Sequence, residues 1–231
     1  MSIVTLNRGA QITKPSDYYG NANPENGQGL FDDFIGTAAS VFATTSSPGV
    51  TGTYGSALYL DASDEVQTNA MNIFQPSADE SFAAAARVTI VHGTPMVTKQ
   101  NILFGNNSVA TPVERIGFEL ATNTSSEFVV TCAFDDGSTD SSVALTEEEL
   151  PGGEDFDYTA AHVYSVVVEC DGTGITTARF YIDAFLVQTI TESSAGAWAD
   201  AGLAWVQTNL TGSSTVDQAI DWISVGSSRR D

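Results

Sequence analysis

The chain has 231 residues, 42 % of them hydrophobic and 10 % aromatic, which is enough for a sizeable core and excludes a wholly disordered protein. Asp and Glu number 29 against 8 Lys and Arg, a formal net charge of −21. Such a balance forfeits the counterion-release energy of nucleic-acid binding and sets the chain against anionic membrane surfaces, and no apolar run approaches the ~20 residues of a spanning helix.

In chain order, the first apolar stretch stops at Leu6. That is too short for a secretory signal, so folding in a cytoplasm is expected. Between Asn7 and Gly29, Gly, Asn, Pro and Gln dominate. This segment cannot bury itself as a core strand; it is either a mobile arm or an arm laid along a partner. The expected organisation is an extended arm over 1–29 and one sandwich domain over 30–231. Arg8, Lys14, Tyr18 and Tyr19 are the arm's candidate partner-binding residues.

Beyond the arm, helical periodicity is rare and strand alternation is frequent. Phe82–Val91 places Phe82, Val88 and Ile90 on one face with two alanines. Strands follow at Val97–Phe104 and Ile116–Thr122. Phe128–Phe134 aligns Phe128, Val130, Cys132 and Phe134. Ala161–Cys170 aligns Tyr164, Val166, Val168 and Cys170, with Ser165 and Glu169 turned to solvent. Thr177–Ile190 is two strands around a turn, and Leu203–Thr208 and Ala219–Val225 complete the set. His92-Gly93-Thr94-Pro95, Gly105-Asn106-Asn107, Asp135-Asp136-Gly137 and Asp171-Gly172-Thr173-Gly174 separate them. Many short strands with regular turn signals predict an all-β sandwich of two antiparallel sheets. Cys132 and Cys170, both in apolar runs, read as buried free thiols, with a bridge open only if their strands are neighbours.

From about Gly29 onward the chain resembles the concanavalin A-like jelly rolls, in particular the laminin G-like group. Gly55–Asp61 followed by Asp64-Glu65-Val66 resembles that group's first core strand and turn. Ser81–Val88 stands where its next long strand falls. His162–Val168 and Ala178–Val187 resemble its hairpin pair, and Ala219–Gly226 its closing strand. The group usually has Asp-Gly at the hairpin turn, whereas this chain has Asp183-Ala184. A two-residue type I′ turn needs φ > 0 at both central residues, so a longer or different turn is expected here. The resemblance implies sugar binding, glycan hydrolysis or a structural role, and the fold does not choose among them.

The chemistry is sparse. Retaining glycoside hydrolysis needs two carboxylates about 5–5.5 Å apart. The strand motif Glu-x-Asp-x-x-Glu of the glucanase branch is missing; Glu147-Glu148-Glu149 and Glu154-Asp155-Phe156-Asp157 come nearest. No Gly-x-Ser-x-Gly elbow and no phosphate loop occurs. His92, at a turn, and His162, at a strand start, read as ordinary surface or edge positions. The acids from Asp135 to Asp157 include no base. Asp135, Asp136 and Asp140 are the candidate calcium ligands, hard oxygens in a loop, although an acidic run is usually a solvated loop and no cofactor is the primary expectation. Trp198, in a small-residue loop, is the candidate glycan-stacking residue. Trp205 and Trp222 fall in apolar strands and read as core.

These readings predict a non-enzymatic structural or interaction protein. The leading expectation is a capsid decoration (cement) protein on the outer surface of a tailed bacteriophage. It would be made in the host cytoplasm and attached to the major capsid protein or another virion protein partly through the arm. Closed homo-oligomerisation, as a trimer, is expected with it. The extreme acidity suits an outward-facing surface crowded with copies. The alternative is a carbohydrate-binding module or adhesin for a host-surface glycan; a glycoside hydrolase is the remote one.

Overall fold

The structure, a computed structural model, describes residues 29–32, 49–51, 57–60, 66–67, 81–92, 100–106, 114–122, 128–136, 140–170, 175–191, 204–207 and 216–227. They form fourteen strands: β1 (Gly29–Asp32), β2 (Gly49–Thr51), β3 (Ala57–Leu60), β4 (Val66–Gln67), β5 (Phe82–His92), β6 (Gln100–Asn106), β7 (Glu114–Thr122), β8 (Phe128–Asp136), β9 (Asp140–Leu145), β10 (Ala161–Cys170), β11 (Ile175–Ile182), β12 (Phe185–Thr191), β13 (Ala204–Gln207) and β14 (Val216–Ser227). Two single-turn 3₁₀ helices, Glu147–Glu149 and Gly153–Asp155, lie between β9 and β10.

The strands make two antiparallel sheets. One has eight strands in the order β12-β11-β10-β5-β14-β3-β2, with β1 also on β14; the other has six, β4-β13-β6-β7-β8-β9. Alternation explains how they pack. Phe82, Ala84, Ala86, Val88 and Ile90 of β5 and Tyr164, Val166 and Val168 of β10 turn to the same core as Ile116, Phe118 and Leu120 of β7 and Val130, Cys132 and Phe134 of β8. Phe118 joins the layers. Its ring meets Tyr164 edge-on at 5.3 Å and Phe180 at 5.6 Å, a geometry the ring quadrupoles favour.

Three expectations need correction. Trp222 is not core. A bulge between Ile220 and Trp222 shifts the register of β14 against β5, so Ile220, Ile223 and Val225 point inward while Trp222 falls opposite Arg87 and is half-buried. An extra residue in one strand reverses the alternation beyond it. That residue, Asp221, pairs its carboxylate with Arg87.

Ser165 does not face solvent either; it is 1 % exposed. It sits between Ala85 and Tyr181 in the register, and Tyr181 packs with Ala83 and Val167 in a second apolar cluster on that outer face. Small side chains there leave a trough that a tyrosine ring fills. Glu169, on the same face, pairs with Arg179 through two bonds of 2.6 and 3.1 Å.

The third correction is the turn. Asp183 and Ala184 have φ of 50° and 67°, and Ile182 pairs directly with Phe185. The β11–β12 connection is therefore the two-residue turn that alanine seemed to forbid. Outside contacts of Asp183, described below, hold it in place.

Candidate functional site

The β11–β12 turn is tied to the start of β10. The Asp183 backbone N–H donates to the Val163 carbonyl at 2.9 Å. Asp183 Oδ1 accepts the Val163 N–H at 2.8 Å, and Oδ2 faces His162 Nδ1 at 2.6 Å. On its other side, His162 Nε2 lies 2.7 Å from the Asp157 carbonyl oxygen. A carbonyl oxygen only accepts, so Nε2–H donates to it, and Nδ1 lies against the carboxylate. One imidazole thus clasps the hairpin to the 146–160 segment. Phe156 stacks on it at 4.4 Å and 24°, and the Tyr164 ring meets its edge at 6.2 Å.

The 146–160 segment is pinned to the sandwich by Leu150, 3 % exposed, and by Phe156 and Tyr158, which pack against the core. Its acids do local structural work. Glu149 Oε2 accepts the Thr146 N–H at 2.9 Å. Asp157 Oδ1 accepts the Thr159 hydroxyl at 2.6 Å and its N–H at 3.0 Å. Those two bonds, led by the hydroxyl, hold the exposed Asp157 carboxyl below the ordinary carboxylate range, with a smaller contribution from His162. Below the tip, burial pushes the Tyr164 phenol up, and the Asp183 charge adds to the effect. Its hydroxyl has no hydrogen-bond partner among the described residues.

The result is a rigid tip. An exposed aspartate carboxylate, 42 % accessible, stands beside an aromatic stack. Carboxylates accept hydroxyl protons, so the exposed Asp183 carboxylate can accept from a polyhydroxylated ligand. No catalytic step follows from it, because the imidazole's two nitrogens are both committed.

The sequence-predicted residues fare differently. Arg8, Lys14, Tyr18, Tyr19 and Trp198 lie outside the described residues, as does the side chain of Trp205. Asp135 and Asp140 are backbone partners across the β8–β9 hairpin, while Asp136 pairs with Glu114 on β7. The acids from Asp135 to Asp157 are therefore spread over two strands, two 3₁₀ turns and, for Asp157, the stretch before β10 rather than one loop. Among the described residues no group of three or more His, Cys, Asp or Glu is placed to hold a metal. Cys132 is a free thiol buried in β8, and burial pushes its pKa up; Cys170 ends β10 in the other sheet. His92 is the last residue of β5, not a turn residue. His162 does lie at the start of β10, as its second residue, but its side chain is only 12 % exposed and it is the clasp of the tip. That role was invisible in sequence, since its partners lie five and 21 residues away.

The architecture is a lectin-like jelly-roll β-sandwich. No family model matches the chain, and no curated protein sequence matches it. Solved structures do. Botulinum neurotoxin type C, whose cell entry depends on interaction with two ganglioside molecules, matches at TM-score 0.59 and 12 % identity over 90 % of this chain. The chain spans about half of that neurotoxin chain, 49 %. The carbohydrate recognition domain of Emp47p matches at TM-score 0.54 and 10 % identity, over 90 % of this chain and 99 % of that one. A protein of unknown function from Shewanella oneidensis MR-1 matches at 0.53 and 14 %, over 89 % and 90 %. At these identities the likeness is one of fold, and two of these three neighbours are described by what they bind.

Proposed function

We propose that the chain is a non-catalytic carbohydrate-binding module. The observation that carries this reading is the clasped tip: the exposed Asp183 carboxylate, fixed by Val163 and by His162, whose imidazole stacks on the Phe156 ring. Preorganised acceptors bind with little loss of side-chain freedom. The neurotoxin and carbohydrate-recognition neighbours support it at the level of fold. The test is a glycan array probed with the wild-type chain, Phe156→Ala and Trp198→Ala. The proposal expects a defined set of glycans bound by the wild type and lost in Phe156→Ala, with the melting temperature of each variant checked in parallel. Loss in Trp198→Ala alone would place the sugar on that loop instead.

A second reading rests on the net charge of −21 and the polar segment 1–29: a decoration protein on the surface of a phage particle, held to a capsid protein through Arg8, Lys14, Tyr18 and Tyr19. Protection of that segment from protease on particles, but not in free protein, supports it. Equal cleavage in both removes its basis.

A further inference from the structure

Among the described residues the eight-stranded sheet has open edges at β12, β2 and β1 and the six-stranded sheet at β4 and β9, and an edge is a template for another chain unless something blunts it. β1 is four residues long, β2 three and β4 two. β9 opens on Asp140. Those edges are short or charged. β12 is neither: it runs seven residues, Phe-Leu-Val-Gln-Thr-Ile-Thr, with no charge and no proline. Its bulge lies opposite Phe180 and Tyr181, which leaves Gln188–Thr191 in regular register with β11. The exposed large hydrophobics among the described residues are both on this strand, Phe185 at 57 % and Leu186 at 47 %. The Thr189 N–H is taken by the side chain of its own neighbour, Gln188 Oε1, at 2.7 Å. A donor satisfied in that way at a sheet edge is one that a partner strand's carbonyl can take over.

We propose that β12 is a homodimer interface, in which β12 of a second copy pairs with it antiparallel across a two-fold axis and joins the two eight-stranded sheets edge to edge. Charge selects this occupant. Copies with a formal charge of −21 repel except where a strip carries none, and β12 is such a strip. A cationic partner would gain more on the acidic surface than on an uncharged strand. A two-fold axis also makes one strand its own complement, residue i meeting j and j meeting i.

The experiment is sedimentation velocity on the full chain across a wide concentration range at physiological salt, where self-repulsion is screened beyond about 8 Å. The expected result is a concentration-dependent species of twice the 24.3 kDa chain mass. Leu186→Lys, which puts on the apolar strip a charge that pairing would have to desolvate, and Thr189→Pro, which removes the outward donor, should each return the monomer. Leu186 is exposed, so its substitution leaves the fold intact, and unchanged circular dichroism and glycan binding separate loss of the dimer from loss of structure. A wild type that stays monomeric throughout, a trimer, or a dimer that persists in Leu186→Lys overturns the proposal.

Discussion

Ala184 is the residue whose replacement tests the backbone reading most sharply. Its φ of 67° lies where an L-residue other than Gly, Asn or Asp costs about 1–2 kcal/mol. Glycine removes that strain but brings about 0.5–1 kcal/mol of extra unfolded-state freedom. Ala184 is exposed, so no packing changes with the substitution. Ala184→Gly should therefore stabilise the chain by about 0–1.5 kcal/mol, the difference between those two effects, with about 0.75 kcal/mol at its centre. For a domain of this size the central value raises Tm by roughly 1.5–3 °C. Ala184→Val, with a branched β-carbon at the same φ, should lower it. Urea unfolding with a constant m-value measures both. If Ala184→Gly lowers the midpoint, the turn is not held at this φ in solution, and the clasp by Asp183 and His162 does not fix the tip.

Tyr164→Phe removes a buried hydroxyl that lacks a described partner while keeping the ring against Phe118; a gain of about 1 kcal/mol is expected in thermal unfolding, and a loss would reveal a water bonded to that oxygen. Asp157 has a depressed pKa in the folded chain, so its stabilisation is full above the ordinary carboxylate value and fades as pH falls through the folded one. Asp157→Asn should flatten the acid limb of the stability profile by well under 1 kcal/mol, since the group is exposed; an unchanged acid limb would discount the Thr159 bonds. In a Cys170→Ser background, Cys132 should react with an aromatic disulfide reagent only on unfolding, because its thiol is buried and its pKa raised; rapid labelling of native protein would contradict that burial.

Fold class was legible because strand alternation is local: the inward sets of β5, β8 and β10 can be read from residues two apart. Bulges broke the reading where they insert a residue. Asp221 moved Trp222 to the outer face, and no composition signal marks that position. The turn at Asp183-Ala184 was misread for a related reason. Local propensity argues against alanine there, and the contacts that override it come from Val163 and His162, about 20 residues away in sequence. The candidate site was the least legible part. Phe156 and Asp157 looked like members of an acidic stretch, and only the return of β11 beside β10 brings them to Asp183 through His162.

The most direct test of the binding account is a titration of isotope-labelled protein with an array-selected glycan, followed by amide chemical shifts. The account predicts saturable shifts concentrated at residues 156–164 and 182–185, abolished in Phe156→Ala. Shifts confined to other surfaces, or the absence of any bound glycan, would contradict it.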